Sequence, residues 1–244
     1  MGVKDIAKDF GILPTFMAKV SQNLPGKYLK IELYTKHIYI LGSGGHMHVN
    51  LADSHGKNLF YNEKDSDQMS TLFNHFLAGQ LYLLPQMMPM FAPTVNSYKR
   101  LVAGYWAPTK PTWAVENRTS SYRVIPGGKS TRLEVRVCGA DANPYLALSA
   151  SLASGLYGIK HKLELPPQTK GNAYDEEKKE GAVNLGNLPR NLWEATKAMK
   201  ESKAARELFG DVFVDHFTAT REWEWRQFQN AVTNWETERY MEII

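Results

Sequence analysis

The amino-acid sequence predicts an α+β fold: an antiparallel sheet with helices on one side, followed by a helical C-terminal region. Three observations carry this. Residues 42–51 (GSGGHMHVNL) and 130–137 (STRLEVRV) alternate polar and apolar with the period of a strand that is buried on one face. Residues 65–89 place Met69, Leu72, Phe73, Phe76 and Leu77 at helical spacing. From Leu188 to the end the pattern is helical again, broken near Gly210.

Taken in order, Asp5 to Phe10 reads as the last turns of a helix ended by Gly11, and LPTFMAKV (residues 13–20) as a strand. Residues 21–41 offer a Pro-Gly turn and β-prone Tyr and Ile before the glycine-rich 42–45. A second helix starts at NPYL, with Asn143 as cap and Pro144 at the first position, and runs to about His161. Residues 164–190 are polar, and the charged run Asp175 to Glu180 reads as exposed loop. Near the end, Trp223, Trp225, Phe228 and Trp235 have roughly helical spacing, which fits core or subunit packing better than a ligand cage.

The chain has 244 residues and a net charge of +4, with lysines scattered among acids. That distribution lacks the basic stripe of a nucleic-acid surface. No window approaches the apolar length of a membrane span, and Met1 to Asp5 has no signal-peptide pattern, so the expectation is a cytoplasmic protein without a membrane partner. The lone Cys138 fits a reducing compartment and reads as core filler.

The chemistry lies on the polar faces of the two alternating segments. Leu133, Val135 and Val137 point to one side, and Arg132, Glu134 and Arg136 to the other. In the earlier segment His46, His48 and Asn50 oppose Met47, Val49 and Leu51. Two imidazoles at i and i+2 can converge on a metal or phosphate; a half-exposed strand whose histidines face water is the alternative. Lys99, Arg100, Arg118, Arg123 and Lys129 add further cations. Arginine grips carboxylate or phosphate with a two-pronged fork, so such a gathering points to a polyanionic ligand. Glu134 alone does not balance these charges, and bound anions would complete the balance.

GSGGHMHVNL, NSYKRLVAGYWAP, ENRTSSYRVIP, STRLEVRV and DANPYLALSASLASGLYGI occur in that order. Together they resemble the catalytic domain of class I type glutamine synthetases and their γ-glutamyl-amine ligase and lengsin relatives, over a stretch from about Ile6 to the C-terminus. The resemblance implies a curved antiparallel sheet with helices on its convex side and a polar concave face. It implies a ligase that uses ATP to phosphorylate the glutamate side chain, and then joins ammonia or an amine to it. Mg2+ or Mn2+ is the implied ion, and a homo-oligomer the implied assembly.

By motif, the resemblance assigns His46 and Glu134 to the metal. His48, Asn50, Lys129 and Arg132 fall on the nucleotide. Arg118 and Arg123 face the phosphates as the catalytic pair, while Gly42, Gly44, Arg100 and Arg136 hold glutamate. Glycine at 42 and 44 lets backbone approach the ligand closely.

Three departures qualify the resemblance. Trp106 stands where the ammonia-using enzymes carry a glutamate that deprotonates ammonium, which an indole cannot do, so a larger or more apolar amine is implied. Leu41 replaces a polar residue that contacts glutamate. The N-terminal β-grasp domain and the glutamate-bearing strands that complete two metal sites in the family have no counterpart, so residues 1–244 alone are expected to be inactive or impaired. Residues 21–41 form an atypical insertion, either a hairpin at the rim or intron-derived sequence. The alternative to an enzyme is a lengsin-like structural relative without catalysis.

Overall fold

A computed structural model describes residues 13–20, 44–65, 68–102, 107–174, 186–241 and 243. The expected helix at 5–10, the insertion 21–41, Leu41, Gly42, Trp106 and the charged run 175–180 lie outside the described residues. Five strands, β1 (Leu13–Val20), β2 (Gly45–Ala52), β3 (Trp113–Val115), β4 (Tyr122–Ile125) and β5 (Arg132–Val135), form one sheet in the order β1-β2-β5-β4-β3. Three pairings are antiparallel, as expected; the edge pair β3–β4 is parallel, which makes the sheet mixed.

The register follows from burial. Met47 pairs with Val135 and Val49 with Leu133 across β2–β5, and Tyr122 with Val135 and Val124 with Leu133 across β4–β5. All six side chains are buried on the apolar face. A slip by one residue would move every one of them to the other face, so the apolar set sets the pairing. The ladder in STRLEVRV is shorter than expected: Gly128–Ser130 winds into a 3-10 turn, and the strand spans 132–135.

Helices cover the apolar face. Helix α1 (Thr71–Phe91) starts later than the 65–89 expectation because Ser70 caps it, accepting from Phe73 N–H at 3.0 Å. Met69, counted as helical, pairs instead with Tyr61 in a β-bridge. Its Gln80 carbonyl accepts from the Tyr122 hydroxyl at 3.2 Å, tying helix to sheet. The short α2 (Val95–Tyr98) carries a Thr94–Ser97 capping box. Helix α3 (Pro144–Lys160) has the expected Asn143 cap and ends at His161. It meets α1 where Gly79 and Gly158 face each other; a β-carbon on Gly79 would stand 2.2 Å from the Ser154 carbonyl oxygen.

The C-terminal region comprises α4 (Leu192–Lys200), α5 (Lys203–Phe209), α6 (Asp211–Asn230) and α7 (Asn234–Tyr240). Gly210, at φ +79°, separates α5 from α6, as the sequence predicts. The four aromatics expected to be packed divide. Trp225 lies against the core, whereas Trp223 and Trp235 are 56% and 63% exposed on this chain. Among the described residues no helix is long and apolar enough to cross a membrane.

Candidate functional site

The register that buries the apolar face lines up the polar one. Arg123 on β4 pairs with Glu134 on β5, and Glu134 with His48 on β2, so three strands contribute one row. Glu134 is its centre and is 4% exposed. Its Oε1 lies 3.1 Å from His46 Nδ1 and 3.8 Å from His48 Nε2. Its Oε2 is 3.2 Å from Nη1 of both Arg123 and Arg136. Burial alone would raise the Glu134 carboxyl, but the hydrogen bond with His46, the Arg136 charge and the Arg123 hydrogen bond outweigh it and lower it to about 2.

His48 is pushed below the ordinary histidine value by burial and by Arg132, His46 and Arg123, against the pull of Glu134. A neutral ring at that position accepts from Arg132 Nε through Nδ1 at 3.3 Å. Arg123 loses solvation, yet its bonds to Glu116 and Glu134 leave it raised. Asn50 follows on the same face of β2 and is half-buried.

A second group forms beside this row. Arg100 Nη2 donates to the Val137 carbonyl at 2.6 Å, and its Cδ is 4.0 Å from the point where a Gly44 β-carbon would stand. Gly44 bridges to Gly139, so glycine backbone lies beside the Arg100 side chain. Nε of Arg100 and Nε of Arg136 are buried without a hydrogen-bond partner among the described residues.

The structure therefore gathers His46, His48, Arg123, Arg132, Glu134 and Arg136 on one face, with Gly44 and Arg100 next to them. Arg118 and Lys129 are not part of the hydrogen-bonded row. Arg118 is exposed on the turn after β3, and Lys129 is exposed on the 3-10 turn, where its carbonyl accepts from Asn58 Nδ2 at 3.0 Å. Gly42 lies outside the described residues.

Two carboxylates escaped the sequence reading. Glu116 takes bonds from both Nε (3.0 Å) and Nη2 of Arg123, so Glu134 is not the sole balance to the arginines. Asp141 accepts from Thr94 Oγ1 at 2.9 Å and Ser97 Oγ at 2.8 Å, securing α2 just ahead of Arg100. Neither shows a periodic signal: Glu116 sits in the turn after β3, and Asp141 in the turn before α3. Cys138 is buried, as expected of filler, and burial raises its thiol to about 11.

For a divalent ion, the pair His46 and Glu134 offers an imidazole and a carboxylate in contact, with His48 beside the same carboxylate oxygen. No group of three or more His, Cys, Asp or Glu suited to a metal occurs among the described residues. The pair fits part of a magnesium or manganese shell, since such ions keep few protein ligands and fill the rest with water and phosphate oxygen.

A mixed sheet with one apolar, helix-covered face and one face on which guanidiniums converge around a buried carboxylate defines an α+β domain with a charged, polar working face. The family description "Glutamine synthetase, catalytic domain" matches residues 1–240, and the chain belongs to that family. It is 51% identical to type-1 glutamine synthetase 2 of Dictyostelium discoideum, over 99% of this chain and 43% of that protein. It is 38% identical to glutamate–isopropylamine ligase of a Pseudomonas species, over 100% of this chain and 49% of that protein. Against γ-glutamylethanolamide synthetase GlnA4 of Streptomyces coelicolor the identity is also 38%, over 99% of this chain and 46% of that protein. A solved GmaS/ADP complex superimposes with a TM-score of 0.72 at 31% identity, covering 82% of this chain and 46% of GmaS. The chain spans about half the length of the curated relatives it matches.

Proposed function

We propose that this chain forms the nucleotide- and glutamate-facing part of an ATP-dependent ligase that joins ammonia or an amine to the side-chain carboxylate of glutamate. The observation that carries this reading is the convergence of Arg123, Arg136, His46 and His48 on Glu134. Arg123 and Arg136 share one oxygen of the buried Glu134, with Glu116 the other carboxylate on Arg123, and an anionic ligand would complete the charge balance.

In the proposed reaction a glutamate side-chain oxygen attacks the γ-phosphorus of ATP, the bond to the β-phosphate oxygen breaks, and ADP leaves. The amine nitrogen then attacks the acyl carbon, inorganic phosphate departs, and the nitrogen loses a proton to give the amide. Both partners of the first step are anions, so the protein's task is to neutralise and orient them. Arg118 and Arg123 face the transferred phosphoryl group. Arg132, Lys129, His48 and Asn50 hold the nucleotide. Arg100 and Arg136 take the glutamate carboxylates, with Gly42 and Gly44 at the close approach. His46 and Glu134 would hold magnesium or manganese, which when bound supplies further positive charge to the phosphate oxygens.

Trp106 in place of a proton-accepting glutamate favours an organic amine over ammonium. Two relatives carry names that specify isopropylamine and ethanolamide. A cytoplasmic homo-oligomer belongs to the same reading.

Calorimetric titration of the chain with a non-hydrolysable ATP analogue and Mg2+ tests it. Magnesium-dependent binding is expected, weakened about tenfold or more by Arg132→Gln. A chain that binds no nucleotide would be a scaffold of the lengsin type, and the ligase reading would fail.

A further inference from the structure

Arg123 is held at both edges by carboxylates of different kinds. Nη1 donates to Glu134, whose side chain is 5% exposed, whereas Nε and Nη2 donate to one oxygen of Glu116, whose side chain is 47% exposed. The Nε/Nη2 edge is one with which a guanidinium takes phosphate or carboxylate in a fork. Glu116 thus occupies, with an oxyanion of the protein, the outer edge that a ligand oxyanion would use.

The backbone at Glu116 carries a second signal. Its φ is +52°, in the left-handed region. A residue with a β-carbon loses roughly 1 kcal/mol there. The conformation is held because Glu116 N–H donates to the Val124 carbonyl at 2.9 Å, so the turn after β3 closes back onto β4. Strained backbone that the surroundings hold in place concentrates at functional sites. This turn also carries Arg118, two residues on. An ordinary surface ion pair would need neither the strained backbone nor a partner whose far edge is already fixed on a buried carboxylate.

We propose that Glu116 is a placeholder in the phosphate subsite: it neutralises the outer edge of Arg123 in the free protein and gives way to phosphate oxygens, while Glu134 keeps the inner edge. The inference rests on the reading of Arg123 as phosphate-facing. Its consequence is a guanidinium held in orientation before ligand arrives, and an affinity for free phosphates set lower than the cluster of cations alone would give.

Calorimetric titration of the whole chain with inorganic triphosphate, at fixed ionic strength, tests this. Glu116→Gln is expected to bind roughly three- to tenfold more tightly than the parent, because a competing exposed charge is removed. Glu116→Asp, which keeps the charge, should stay within about twofold. Arg123→Gln, and Arg118→Gln at an exposed position where folding is not at stake, should both bind more weakly. If Glu116→Gln binds no better, or Glu116→Asp tightens as much as it does, the placeholder is overturned while the phosphate reading stands. If the parent does not bind, or Arg123→Gln and Arg118→Gln bind as the parent does, both fall.

Discussion

His46 Nδ1 stands 3.1 Å from Oε1 of Glu134, reaching diagonally across the β2–β5 pairing that sets His48 directly opposite the same carboxylate. The other oxygen of Glu134 is shared by Arg123 and Arg136, each at 3.2 Å. One buried carboxylate thus links three strands and keeps two guanidiniums from repelling each other.

Removing its charge should therefore unsettle the fold as well as the site. Glu134→Gln leaves Arg136, itself 5% exposed, without its carboxylate. Breaking a buried pair on one side typically costs about 3–5 kcal/mol. Urea unfolding of the parent and the variant measures it, and a loss below about 1 kcal/mol would show that Arg136 finds another partner.

The same carboxylate predicts an acid limb. Its pKa in the folded chain is about 2, against an ordinary 4.5. Because the folded value is the lower one, the unfolded chain binds more protons between them, so the stabilisation is complete above about pH 4.5 and is lost as pH falls towards 2. It amounts to on the order of 3 kcal/mol. The stability gap between the parent and Glu134→Gln should shrink steadily as pH falls from 4.5 towards 2; a gap that does not change over that range would contradict the cause assigned.

The crossing of α1 and α3 allows little side chain. A methyl on Gly79 would meet the Ser154 carbonyl oxygen at 2.2 Å and the Gly158 nitrogen at 2.6 Å, both backbone. Backbone of two packed helices cannot step aside as a side chain can, so Gly79→Ala is expected to destabilise by about 3 kcal/mol. Thermal unfolding would reveal it as a lower midpoint, and an unchanged midpoint would mean that the helices slide apart freely.

Cys138 should be inert in the native protein. It is buried, with its thiol raised to about 11, so little thiolate exists at pH 8. A chromogenic disulfide reagent should label it only when denaturant is added. Prompt native labelling would place the sulfur in an accessible state that this fold does not provide.

Local patterns made a large part of this protein legible. The alternation in GHMHVNL assigned His46, His48 and Asn50 to one face, and that in TRLEVRV assigned Glu134 and Arg136 to one face, because strand side chains alternate whatever the partner strand is. The Asn143–Pro144 start of α3 and the Gly210 break were equally readable, since caps depend on neighbouring residues alone. The start of α1 was placed too early because Met69 fits the helical spacing, although Ser70 is the residue whose hydroxyl caps the first turn. The parallel β3–β4 pair left no trace in the sequence, as strands this short carry no directional signal.

The sequence by itself determined which side chains share a face and what charge each brings. Only the tertiary structure decided that Arg123, Glu134 and His48 stand in one row, that Glu116 closes the outer edge of Arg123, and that Asp141 secures the helix before Arg100. The physical reason is range. Side-chain alternation and helix caps are settled within a few residues, whereas the register between strands far apart in the chain is chosen by burying Met47, Val49, Leu133 and Val135 together, and the polar face inherits its geometry from that choice.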